Sequence, residues 1–103
     1  MAKPTFEFFE AGSFCLVNFE IPGGITTPTE FSEAVKAVEG KLAGSRPILL
    51  NGRGPVWGYG MLIHAAHPTP AVGCYDPRLG GYVIVATHDG RYPLGYVVPE
   101  QEA

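Results

Sequence analysis

PILLNGRGPVWGYGMLIHAAHPTPAVGCYD, residues 47–76, sets a helical pattern between two short apolar runs. Pro47 to Leu50 reads as a short buried strand. NGRGP, Asn51 to Pro55, turns away from it into a helix from about Val56 to Ala66. Gly58 and Gly60 weaken that helix by ~1 kcal/mol each relative to alanine, so they imply close backbone approach by another element or by a ligand. His67-Pro68-Thr69-Pro70 ends the helix, and AVGCY is a buried strand that stops at Asp76.

Working outward, the N-terminal side holds TFEFFE, the turn residues EAGS and the β-prone run FCLVNFEI, together an antiparallel hairpin from Thr5 to Ile21. After IPGG, Thr27-Pro28-Thr29-Glu30 combines an N-cap threonine, a first-turn proline and a glutamate three residues past the cap, the signature of a capping box. Phe31, Ala34, Val35, Val38 and Leu42 then fall on one helical face, and Gly44 is placed to stop it. On the C-terminal side PRLGG is a turn, YVIVA a return strand and LGYVV a last one. The order β-β-α-β-α-β-β-β predicts an α/β fold: a single domain over residues 1–103 with a mixed sheet and two helices packed on it.

At 46% hydrophobic and 17% charged residues the composition is that of a globular domain, and 14 Gly with 10 Pro imply many tight turns. No apolar run approaches the ~20 residues of a membrane span and no signal-peptide pattern opens the chain, so no membrane partner and a cytoplasmic location are expected. Cys15 and Cys74 lie in separate apolar segments without a CxxC pair, which predicts two buried, reduced thiols.

The net charge of −3 is unevenly spread. Residues 1–44 carry Glu7, Glu10, Glu20, Glu30, Glu33 and Glu39 against three lysines, whereas residues 45–98 carry Arg46, Arg53, Arg78 and Arg91 against Asp76 and Asp89. A small anionic ligand would settle on the second half. There, Gly52-Arg53-Gly54-Pro55 joins a strand to a helix N-terminus, an arrangement that can cradle a phosphate with backbone N–H groups or serve as a plain turn. His64 and His67 share a helix face and could chelate a divalent metal with Asp76, or merely complement the helix dipole. Asp76 falls at the end of a buried strand, where sites form in open sheets, although Asp-Pro also initiates turns. Trp57 and Tyr75 could stack on a base or belong to the core. His88, in ATHDG, reads as a turn residue and is given no role.

GRGPVW, a histidine-bearing helix ending in TP, and YDPRLGG before a strand resemble the small CRISPR-associated Csx-three family, which accompanies type III systems. The likeness is close from Asn51 to the strand after Gly81, and one of pattern only in the hairpin and first helix. It implies a compact, degenerate Rossmann-like domain, remotely similar to CRISPR-associated Rossmann-fold sensor domains. It also implies a ring nuclease acting on cyclic tetra-adenylate. By the same resemblance His67 and Asp76 form the catalytic pair. Arg78, Arg53, Gly54 and His64, a neighbouring histidine, would bind substrate. Where a relative has a second histidine after the one at His67, this chain has Pro68.

The resemblance further implies Mn2+ dependence, with His67 and Asp76 as metal ligands and His64 as a further candidate. It implies a homodimer, and a tetramer of two dimers sandwiching the ring. The alternatives are a manganese-dependent 3′ exoribonuclease trimming linear adenylate-rich RNA with the same residues, and a non-catalytic module that binds a cyclic oligoadenylate or RNA.

Overall fold

The computed structural model describes residues 2–103. A six-stranded mixed sheet runs in chain order, β1 (Thr5–Ala11), β2 (Phe14–Glu20), β3 (Ile48–Gly52), β4 (Ala71–Asp76), β5 (Gly81–Thr87) and β6 (Val97–Pro99). The central strands β2, β3 and β4 are parallel, and antiparallel hairpins flank them on both sides. Helix α1 (Pro28–Val38) makes the crossover from β2 to β3, and α2 (Val56–Ala66) the one from β3 to β4.

Both helices lie on the same face. Phe31 and Val35 of α1 and Leu62 and Ala66 of α2 share one core with Val17, Phe19, Ile48, Leu50 and Val72 of the strands. Alternate strand residues point the other way, so Phe14, Leu49, Ala71, Tyr82, Ile84 and Val98 form a second cluster on the opposite face. Among the described residues no α-helix covers that face; Ala103, after a 3-10 turn over Glu100–Glu102, packs against it. Tyr92, from the loop before β6, packs edge-to-face on Phe14 with ring centroids 5.5 Å apart. A doubly wound Rossmann sheet carries helices on both faces and reverses its strand order at a switch point; this sheet shares the parallel crossovers but neither of those features.

Local chemistry explains the element limits. Gly12 opens the two-residue turn between the paired Ala11 and Phe14 with φ +58°, a conformation glycine adopts without steric cost. Thr27 caps α1 by accepting from the Glu30 N–H at 3.1 Å. Its hydroxyl also donates to the Glu30 carboxylate at 3.0 Å, a variant of the capping box in which the two side chains bond each other. The helix ends at Val38, earlier than its apolar spacing predicts, because Val38 leaves helical geometry (φ −110°, ψ 6°) and a 3-10 turn over Glu39–Leu42 follows. That tighter turn still buries Leu42 completely.

The last strand is shorter than LGYVV suggests, since Gly95 at φ +87° closes a turn before it. Gly95 and Tyr96 nevertheless exchange backbone bonds with Ile84, at 2.9 and 2.8 Å. Cys15 and Cys74 are free and partly buried; burial pushes the Cys74 thiol up to about 11 and raises that of Cys15 as well. Among the described residues no helix is long and apolar enough to cross a membrane.

Candidate functional site

The three parallel strands end together, and their carboxyl ends frame a cleft of about 860 Å³. Its lining includes Asn18, Glu20, Asn51, Arg53, Tyr59 and Tyr75. Arg53, exposed, also borders an adjoining cavity of about 390 Å³ walled by Ile25, Pro55 and Trp57. Carboxyl ends of parallel strands are where open α/β sheets place ligands. Helix α2 begins at this end without a side-chain cap, so its first N–H groups remain available to an acceptor.

The loop into α2 is held by Tyr59, whose hydroxyl donates to the Gly52 carbonyl at 2.6 Å and accepts from the Gly52 N–H at 3.1 Å. Burial, the largest influence, raises the Tyr59 phenol. The glycines of the loop answer first to packing. A Cβ on Gly52 would lie 2.5 Å from the Phe19 carbonyl oxygen, and one on Gly54 2.8 Å from the Phe19 ring. Gly58 likewise admits another element, since its Cβ would lie 2.8 Å from the Phe31 ring, whereas Gly60 faces open space. Trp57 sets its ring edge-to-face on Phe31, 5.8 Å between centroids, and keeps part of its surface exposed.

Asp76 closes β4 at the same end, and its carboxylate accepts from the Arg78 N–H at 2.9 Å. The Arg78 side chain is 91% exposed with Nε 3.7 Å from Asp76, a contact too open to hold the guanidinium in place. It is therefore free to turn to a phosphate. Tyr75 precedes Asp76 and donates to Glu100 at 2.9 Å; that bond raises the phenol because it favours the protonated form.

The histidines lie at the opposite end of the sheet. Helix α2 runs back from the carboxyl ends, so His64 in its last turn and His67 at its C-cap emerge near the amino end of β4, both exposed. The strand between His67 and Asp76 accounts for their separation: five steps of about 3.3 Å from Ala71 to Asp76 give about 16 Å. One chain thus unites Arg53, Gly54, Asp76 and Arg78 at one end and His64 and His67 at the other. It does not bring His67 and Asp76 together.

Beside His67 stands a residue that sequence reasoning left without a role. The His67 and His88 rings meet edge-to-face with centroids 5.0 Å apart. His88 is held by its backbone, donating to the Pro70 carbonyl at 2.8 Å, and by the turn that follows. There Thr87 Oγ1 accepts from the Asp89 N–H and donates to the Asp89 carbonyl, both at 3.0 Å. Asp89 in turn receives Arg91 Nη2 at 2.7 Å, and that guanidinium, through its side-chain bond, holds the Asp89 carboxyl below the usual carboxylate range. The signal was the β4–β5 hairpin: pairing outward from Asp76↔Gly81 brings Ala71 opposite Thr87.

The donor set also bears on a metal. Among the described residues no group of three or more His, Cys, Asp or Glu side chains converges, and the expected ligands His67 and Asp76 sit at opposite ends of β4. The residues of one chain do not fit a shared Mn2+ site.

An uncharacterized protein of Aquifex aeolicus (strain VF5) is 50% identical to this chain over 62 residues, a stretch that makes up 60% of this chain and 55% of that protein. The chain thus spans about half the length of that relative. Residues 27–99, which carry Arg53, His64, His67, Asp76, Arg78 and His88, match the family described as CRISPR-associated protein (Cas_csx3), and the chain belongs to that family.

Proposed function

We propose that this protein is a ring nuclease, a phosphodiesterase that opens cyclic tetra-adenylate and so ends a type III CRISPR antiviral signal. What supports the reading is membership of this family together with the placement of Arg53, Asp76 and Arg78 at the carboxyl ends of the parallel strands and of His67 near the amino end of β4. A ring with four phosphates exceeds the basic groups of one cleft, so a symmetric assembly suits it. In that assembly the carboxyl end of one subunit faces the ring and the amino end of another closes over it. Homodimers would then pair into a tetramer around the substrate.

Cleavage by the ring's own 2′-hydroxyl needs a base for its proton, charge stabilisation on the phosphate, and an acid for the departing 5′-oxygen. His67 would move a proton, since imidazole is the side chain suited to acid–base work near neutral pH. Arg78 would neutralise charge on the phosphate, and Asp76 would orient an imidazole from the other subunit. Manganese dependence, which the family likeness implies, would require ligands contributed by two subunits.

The separation of His67 from Asp76 within one chain favours a second reading, a module that binds the ring without cutting it. Turnover of cyclic tetra-adenylate and of a linear oligoadenylate, each with manganese and with EDTA, decides. Faster opening of the ring supports the proposal. Trimming of the linear RNA alone makes the protein an exoribonuclease, and tight binding without products leaves the module.

A further inference from the structure

Three adjacent parallel strands place three side chains in one row on the helix-free face. Asn18 of β2 is in register with Asn51 of β3. Leu50 pairs with Cys74, so the next step sets Asn51 level with Tyr75 of β4. All three line the large cleft, half-buried, beside Arg53. Neighbouring strands lie ≈4.8 Å apart, so the row spans about 10 Å, enough to underlie one base.

The chemistry of the row is specific. On a sheet face otherwise built from Phe14, Leu49, Ala71 and Ile84, two successive carboxamides are out of keeping with packing. Neither amide has a hydrogen-bond partner among the described residues, and each offers a donor and an acceptor side by side. That pair complements adenine, which presents the N6 amino group next to N7, whereas guanine presents two acceptors on the same edge and calls for arginine or lysine. Tyr75 is fixed by its bond to Glu100 and by its tilted contact with Tyr82, ring centroids 5.2 Å apart. An anchored phenol ring gives a base a surface to stack on at little entropic cost.

We infer that Asn18, Asn51 and Tyr75 form an adenine-reading row: a base stands edge-down on Asn51, flanked by Asn18, with its face against Tyr75, while Arg53 takes the adjoining phosphate. The inference rests on the proposed function, in which this cleft is the end that receives the nucleotide. It assigns the preference for adenine to two amides at the carboxyl end rather than to the histidines.

The test is calorimetric titration of the full chain in EDTA with cyclic tetra-adenylate and with linear tetra-adenylate, tetracytidylate and tetrauridylate. The wild type should bind tetra-adenylate about tenfold or more tightly than tetrauridylate, the discrimination of one good amide–base pair. Asn51→Leu should bring that ratio close to one while leaving tetrauridylate affinity unchanged, and Asn18→Leu should reduce it partly. Asn51→Ser and Asn18→Ser, which carry no bulk into the cleft, should do the same if a leucine variant misfolds. Tyr75→Leu should weaken all the tetranucleotides alike. A wild type without adenine preference, or serine variants that keep it in full, overturns the inference while the nuclease reading stands. Absence of binding by every tetranucleotide and by the ring overturns both.

Discussion

The two ends of the parallel strands are built on different principles. At the carboxyl ends lies a cleft of about 860 Å³ lined by Arg53, Asn51 and Tyr75. At the amino end of β4, the His67 and His88 rings stand side by side on the surface, both exposed. The lining of the cleft includes no imidazole, and the two imidazoles at the other end stand exposed. On the proposed function, recognition and proton transfer would be separated by the length of a strand, and the complete chemistry would belong to an assembly.

The comparison breaks most visibly through catalysis. His67→Ala and Asp76→Ala should each lower turnover of cyclic tetra-adenylate by ~100-fold or more under single-turnover conditions. His67→Ala should leave ring affinity nearly unchanged, because the proposed function puts the binding groups at the other end. Near wild-type turnover in either variant would remove that residue from the chemistry.

Arg53→Ala should act the other way, weakening ring binding by about tenfold or more through loss of a charge-assisted phosphate contact, with turnover of the bound ring preserved. Wild-type affinity should fall with rising salt, and the Arg53→Ala protein should show a shallower dependence. Titration at several salt concentrations measures both.

His88→Ala should reduce turnover by less than His67→Ala, because His88 braces or supplements the neighbouring imidazole, and it should not alter binding. The smallest effect is expected from Asp89→Asn, which keeps the turn but removes the carboxylate that Arg91 holds. The folded-state value of Asp89 is depressed, so its contribution is present above the ordinary carboxylate range and is lost as pH falls through the depressed value. The small Tm gap between wild type and variant should therefore appear at neutral pH and close in acid.

Much of this architecture is local and therefore legible. Thr27, Pro28 and Glu30 announce α1 within four residues, and the limits of α2 follow from NGRGP before it and HPTP after it. The early end of α1 depended on the backbone at Val38, which no spacing of apolar residues encodes. The site was half legible. Arg53, Asp76 and Arg78 fall at one end as their places after strands imply, while the length of β4 sets His67 at the other end, so His67 and Asp76 do not pair within one chain. His88 required the β4–β5 register, shifted by a bulge opposite Val72 and Gly73. Asn18 and Asn51 were invisible because a lone asparagine in a strand carries no signal until two strands are known to be parallel and in register.

The central claim, that catalytic groups from opposite ends of different subunits meet on one substrate, is tested most directly by mixing. Each of His67→Ala and Asp76→Ala is expected to be nearly inactive alone, yet stacking one on the other restores an interface with an intact His67 facing an intact Asp76. Turnover of cyclic tetra-adenylate should rise well above that of either variant when the two are combined at equal concentration, and should increase with total protein concentration. Activity of the mixture no greater than the average of its two components, at every concentration, would contradict the account.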